Sequence, residues 1–199
     1  SAASDVYKRQ PNDSESYLLL SRYDGDLKEG IVELVDLTNF KVLHTWNPDL
    51  DKFNQLIEKN NDFKNINTND HDARSILFHP LLLNDGDLVF NAGTLRKINA
   101  CSNLIFQITH DRLHHSIEKD IDGNLWVPSH IFPQSIQIKN INRMPYEEGG
   151  YFDDGIMKLS QKGEILFEKS VSQILIDNGL EYLLFSVGDF NLSLIHISE

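Results

Sequence analysis

The chain has 199 residues, a net charge of −12, a pI near 5.0 and 40% hydrophobic residues. That length and apolar fraction support one sizeable core, while the acidic balance argues against nucleic acid, which calls for a basic stripe. The single cysteine, Cys101, excludes an intrachain disulfide and a cysteine-based zinc cluster, and no apolar run approaches the ~20 residues of a membrane span.

Cys101 is expected to serve as a small buried hydrophobe. Residues 1–10 and 192–199 lack the pattern of the rest and read like translated sequencing-adapter sequence. They are set apart, and with the C-terminal segment goes His196. The remainder, 11–191, is read as one incomplete domain whose true ends are missing, so the compartment is not legible from it.

Tyr17–Ser21, Gly30–Asp36 and Lys41–Trp46 are apolar runs joined by the polar turns at Asp24-Gly25 and Asn39. Short polar turns between such runs predict an antiparallel meander. Asn47-Pro48-Asp49 then announces a helix over 48–59, with Asn47 as the cap and Leu50, Phe53, Leu56 and Ile57 at helical spacing. The Asn-rich stretch 60–72 is expected to be a loop. Ser75–Leu83 and Leu88–Phe90 flank Asp85-Gly86 as a hairpin, followed by strands at Gly93–Asn99 and Asn103–Gln107.

The segment from His110 to Val127 is the clearest unit. A histidine pair, His114-His115, opens a strand, Asp122-Gly123 reverses it, and Leu125-Trp126-Val127 begins the return. Glycine accepts the positive φ that a tight primed turn requires. A loop with Pro133, Pro145 and Gly149-Gly150 follows, then strands at Gly155–Ser160 and Glu164–Glu168 across the Gln161–Gly163 turn. Ser170 to Gly179 reads as a helix with a Ser start and a Gly stop, and Glu181 to Val187 as a further strand.

Gly30-Ile-Val-Glu-Leu-Val-Asp, Gly93-Thr-Leu-Arg-Lys-Ile-Asn and Gly155-Ile-Met-Lys-Leu-Ser-Gln align, at separations of 63 and 62 residues. His79 lies seven residues before Gly86, and His115 eight before Gly123. A fixed period of four short strands predicts an all-β fold, a partial β-propeller with short helical insertions. It would comprise about two full four-stranded blades (75–109 and 113–169) plus parts of two others. A β-sandwich would not require helices and hairpins to recur on a schedule. An open arc leaves end blades uncovered, so the chain alone is expected to be marginal and aggregation-prone.

First strands of propeller blades line the central channel, so His79 and His114/His115 are expected to converge near its mouth. For His79 the competing reading is a turn histidine beside Pro80. For the pair, one of two consecutive strand residues must face inward. His44, His71, His110 and His130 are assigned to structure or surface. No metal site is assigned: Asp120-Ile-Asp122-Gly-Asn124 lacks the spacing and closing Glu of a calcium loop and is better read as a turn. Neither a Gly-x-Ser-x-Gly elbow nor a phosphate-binding glycine loop is present.

His114-His115-Ser-Ile followed by Asp122-Gly-Asn-Leu-Trp126-Val127, the earlier Leu95-x-Lys-Ile-Asn-x-Cys101, and Gly179-Leu-Glu-Tyr-Leu-Leu-Phe-x-Val-Gly-Asp189-Phe together resemble the arylsulfotransferase family. The resemblance covers roughly Tyr17 to Asn191. It implies a propeller that moves a sulfuryl group from a phenolic sulfate ester to a phenol through a sulfated histidine, with no nucleotide or other cofactor. It further implies that His115, with His114 second, lies in the channel site, where the chemistry suits an oxygen clamp or acid–base group; His79, from its place at the channel mouth, is expected to bind substrate. A periplasmic or secreted location also follows from the resemblance.

The family's His-x-Asn-Asp block, later arginine and nucleophilic histidine would fall past Asn191, so the 199 residues alone are not expected to turn over. The alternative is a non-catalytic propeller binding a peptide or glycan. A propeller hydrolase or quinone-dependent dehydrogenase lacks a supporting Trp-rich repeat or metal-carboxylate set.

Overall fold

The computed structural model describes residues 14–58, 63, 66–109, 113–131, 133–135 and 153–186. His110, Pro145, Gly149-Gly150 and the segments 1–10 and 192–199 lie outside the described residues. The first apolar runs form β1 (Tyr17–Asp24), β2 (Glu29–Asp36) and β3 (Lys41–Trp46), an antiparallel three-stranded sheet in sequence order. Its turns are held by short acidic side chains: Asp24 accepts from the N–H groups of Asp26 and Leu27, and Asp36 from the N–H and hydroxyl of Thr38. This is the local competition with the strand ladder that makes Asp a turn residue.

β4 (Phe78–Leu82), β5 (Leu88–Asn91), β6 (Leu95–Ile98) and β7 (Leu104–Gln107) form a four-stranded meander. β8 (Glu118–Lys119), β9 (Leu125–Ile131), β10 (Asp153–Leu159) and β11 (Ile165–Ser170) form another. The Asp-Gly reversal between β8 and β9 is as predicted: Gly123 has φ 84, and the Asp120 carboxylate accepts from the N–H groups of Asp122 and Asn124. The expected strand opening at His114 is cut short. Leu113 bridges Ser129, the chain breaks at His115 (φ 57), and regular pairing resumes only at Glu118.

Alternation along the strands sends apolar residues to shared cores. Val89 and Leu95 of the second sheet pack with Leu125, Val127, Met157 and Leu159 of the third. Val32 and Trp46 of the first pack with Leu88, Phe90 and Ile98 of the second. Each sheet therefore buries its apolar surface against the next one in sequence. The mostly β class follows directly, with four short helices between and after the strands among the described residues.

Those helices depart from expectation in instructive ways. α1 spans only Leu50–Asn54, and its cap is Asp49, which accepts from Lys52 N–H, in place of the predicted Asn47. The stretch read as loop contains α2 (Ile66–Asn69), whose Ile66 packs with Ile57 and Phe63. α3 (Val171–Asp177) starts at Ser170, whose hydroxyl accepts from Gln173 N–H, and ends before Gly179 at φ 68. The strand expected from Glu181 is instead α4 (Leu183–Ser186). A short apolar run has no periodicity to separate the two, and here the turn after Gly179 decides for the helix.

Cys101 is exposed, against expectation. It sits in the turn from Asn99 to Asn103, where Asn99 Oδ1 accepts from the N–H groups of both Cys101 and Asn103. Among the described residues, no helix is long and apolar enough to cross a membrane.

Candidate functional site

Two breaks in the β ladder create the site. In β4 the register slips between Phe78 and Leu81, around His79 and Pro80. Pro80 has no N–H to contribute, and His79 adopts φ 47. The second break is that at His115, in the corresponding place before the third sheet's hairpin. Both histidines therefore occupy left-handed backbone that costs an L-residue roughly 1–2 kcal/mol. Strain of this kind clusters where a side chain is held for a purpose.

His79, His114, His115 and His130 line one cavity of about 360 Å³, together with Asn91 and Asp70. Such a volume suits a small organic ligand. Gly93, at φ 72, lets the Asp70 side chain close in, since a Cβ there would meet Asp70 atoms at 2.8 Å. Asn91 is 5% exposed, and its side-chain nitrogen has no hydrogen-bond partner among the described residues. A buried donor of this kind costs about 1–3 kcal/mol unless a ligand satisfies it.

Behind the opening, Asp154 is 4% exposed and stands directly opposite His130 in the β9–β10 register. His130 Nε2 lies 3.5 Å and His114 Nε2 3.9 Å from Asp154 Oδ1. The two rings sit 4.2 Å apart, tilted by 41°, and His115 meets His114 edge-on at 4.7 Å. His114 N–H donates to Pro128 O, two residues before His130. Asp153, on the opposite face, is held by Ser135 and Ser170 and supports the strand.

Outside the cavity lining, Arg96 is fully buried on β6 of the second sheet. It donates to Ala92 O at 2.8 Å, to Gln107 Oε1 at 3.0 Å and to Asn54 Oδ1. Burial brings its pKa down to about 10, against the opposing charges of Asp70 and Asp72. Arg96 ties α1 to the sheet and is a structural cation at this position.

The three histidines read from sequence, His79, His114 and His115, are thus brought to one cavity. His130, assigned to structure or surface, belongs there too. Asn91, Asp70 and Asp154 had no sequence signal that separated them from ordinary strand and turn residues. The pairing of Asp154 with His130 depends on a register across the long 132–152 connection, which spacing alone does not supply. The His44 ring is hydrogen-bonded to Ala100 O at 2.8 Å, and the His71 backbone carbonyl accepts from Arg74 and Ser75 N–H; neither residue lines the cavity.

No curated protein matches the chain. A family model described as Arylsulfotransferase (ASST) matches residues 79–198, from the first cavity histidine onward. With that match over more than half its length, the chain belongs to the arylsulfotransferase (ASST) family.

Proposed function

We propose that this chain is part of a protein that transfers a sulfuryl group from a phenolic sulfate ester to a phenolic acceptor, with the four-histidine cavity as the donor site of a β-propeller. The observation that carries this reading is the convergence of His79, His114, His115 and His130 on one cavity beside the buried Asn91 amide. The successive meanders, one of three strands and two of four, each sharing a core with its neighbour, support the propeller.

In the reaction the sulfur–oxygen bond of the donor breaks, its electron pair leaves with the phenolate oxygen, and that oxygen takes up a proton. The acceptor phenol loses a proton as its own oxygen bonds to sulfur. Charge builds on the peripheral sulfuryl oxygens throughout, so fixed donors aimed at them do most of the work. Protonated His115 is assigned to clamp one such oxygen or to supply the proton to the leaving phenolate. Asn91 offers a second donor, His79 contacts the substrate, and His114 supports His115. None of the four is asked to be the nucleophile, which the family reading places downstream of Asn191.

The test is titration of 4-nitrophenyl sulfate into the chain, followed by transfer in the longer protein proposed to contain it. Loss of a charge-assisted hydrogen bond is worth about 1.5–3 kcal/mol, so His115→Ala is expected to weaken binding roughly tenfold or more. Unchanged affinity and unchanged transfer in His115→Ala would remove the assignment.

A further inference from the structure

We propose that His114, His130 and Asp154 form a binding site for one divalent transition-metal ion of the zinc type. One ligand atom from each of the three residues lies within 4.8 Å of the other two. Zinc bonds of about 2.0–2.1 Å in a tetrahedron set ligand atoms roughly 3.3–3.4 Å apart. The His130–Asp154 separation of 3.5 Å is already close to this, and that of His114 from Asp154, 3.9 Å, needs a shift of about half an ångström. The two imidazole nitrogens, within 4.8 Å of each other, must also close by up to about 1.4 Å to reach the tetrahedral spacing.

The donor set selects the metal. Two imidazole nitrogens and one carboxylate suit zinc or its neighbours in the first transition row, whereas calcium and magnesium prefer oxygen throughout. The three residues are also fixed relative to one another by backbone. Asp154 and His130 are cross-strand partners, and His114 is bonded to the strand carrying His130. Such a site needs little reordering to bind.

His114 and His130 both line the cavity, while the Asp154 side chain is 4% exposed behind them. An ion held there has three protein ligands and an open position toward the cavity, the arrangement of a reactive site and not of a closed structural one. The assignment is independent of sulfuryl transfer and bears on it at one point. A ring nitrogen of His114 bonded to metal is no longer available for proton transfer, which leaves that role to His115.

The experiment is titration of the metal-stripped chain with Co²⁺, followed by visible absorption, and then displacement by Zn²⁺ in a calorimeter, with no sulfate ester present. The expected result is one equivalent of Co²⁺ with the absorption of a low-coordinate site, displaced by Zn²⁺. His130→Gln and Asp154→Asn should each weaken binding by more than the ~10–100-fold typical of outer-shell changes. His44→Gln, remote from the site, should leave it unchanged. Absent saturable uptake, or uptake that persists in both ligand variants, would overturn the proposal. Should either variant fail to fold, X-ray absorption of the zinc-loaded wild-type chain decides, because scattering without two imidazoles rules the site out.

Discussion

The left-handed backbone at His79 and His115 can be tested by inverting an ordinary rule. In a strand, glycine is less stable than alanine by roughly 0.5–1 kcal/mol, because it loses more freedom on folding. At φ 47 and φ 57 the balance differs. Alanine retains the left-handed cost of about 1–2 kcal/mol, which glycine escapes. Glycine should therefore exceed alanine by about 0.5–1 kcal/mol at these two positions. Both substitutions delete the imidazole, so its lost contacts cancel in the comparison. Thr45, exposed in β3 with ordinary strand backbone, provides the reference at which alanine should win.

The assay is urea unfolding of six variants: His79→Ala and →Gly, His115→Ala and →Gly, Thr45→Ala and →Gly. At equal denaturant slopes, a difference of 1 kcal/mol corresponds to roughly 2–4 °C in melting temperature for a chain of this size. Alanine matching or exceeding glycine at both histidines would refute the claim that the cavity holds them in strained backbone. If the inversion is found, the glycine variants should still lose 4-nitrophenyl sulfate affinity, separating the strain from the chemistry it holds in place.

Two further outcomes follow from the packing and the charges. Leu125 is fully buried in the core shared by the second and third sheets, so Leu125→Ala should cost about 2–5 kcal/mol. Hydrogen exchange should then accelerate at Val89 and Lys97 as well as in β9, and acceleration confined to the third sheet would contradict a common core. Acid should destabilise the fold. The Lys158 ammonium, at 2.8 Å, holds Asp120 well below the usual carboxylate range. Asp36, Asp177 and Glu33 are lowered chiefly by Thr38, Lys169 and Arg22. Groups depressed in this way contribute stability that is present above their unfolded pKa and lost as pH falls through the folded value. Asp72, raised by burial, has the opposite sign and is outnumbered. The urea midpoint should fall once pH drops below about 4, and Asp120→Asn should flatten the fall; a midpoint constant to about pH 3 would show that these carboxylates carry no net stability.

Much of the strand pattern was legible because local rules and tertiary packing agree there. The strand predicted at Lys41–Trp46 has those bounds, and the turns at Asp120–Asn124 and Gln161–Gly163 have the positive-φ glycines that their sequences announce. Ser170 and Gly179 bracket α3 for the reasons capping gives. Agreement failed where an element was too short to express a period. Leu183–Ser186 is one turn of helix, and Ile66–Asn69 hides in a polar stretch. Cys101 is exposed because a turn stabilised by Asn99 overrides its preference for the interior.

The cavity histidines belong to a different kind of failure. The sequence predicts strand at His79 and His115, and each stands where regular pairing is interrupted. A residue before proline is normally extended, yet His79 is not. Locally consistent sequence would have continued the ladder and turned alternate side chains into the sheet-to-sheet core. With the ladder broken, both imidazoles line the cavity they share with His130. The departure from local preference and the gathering of chemical groups coincide in space, which is where consistency across levels is expected to yield to function. The strain measured at His79 and His115 is thus also a measure of how strongly the rest of the fold enforces the cavity.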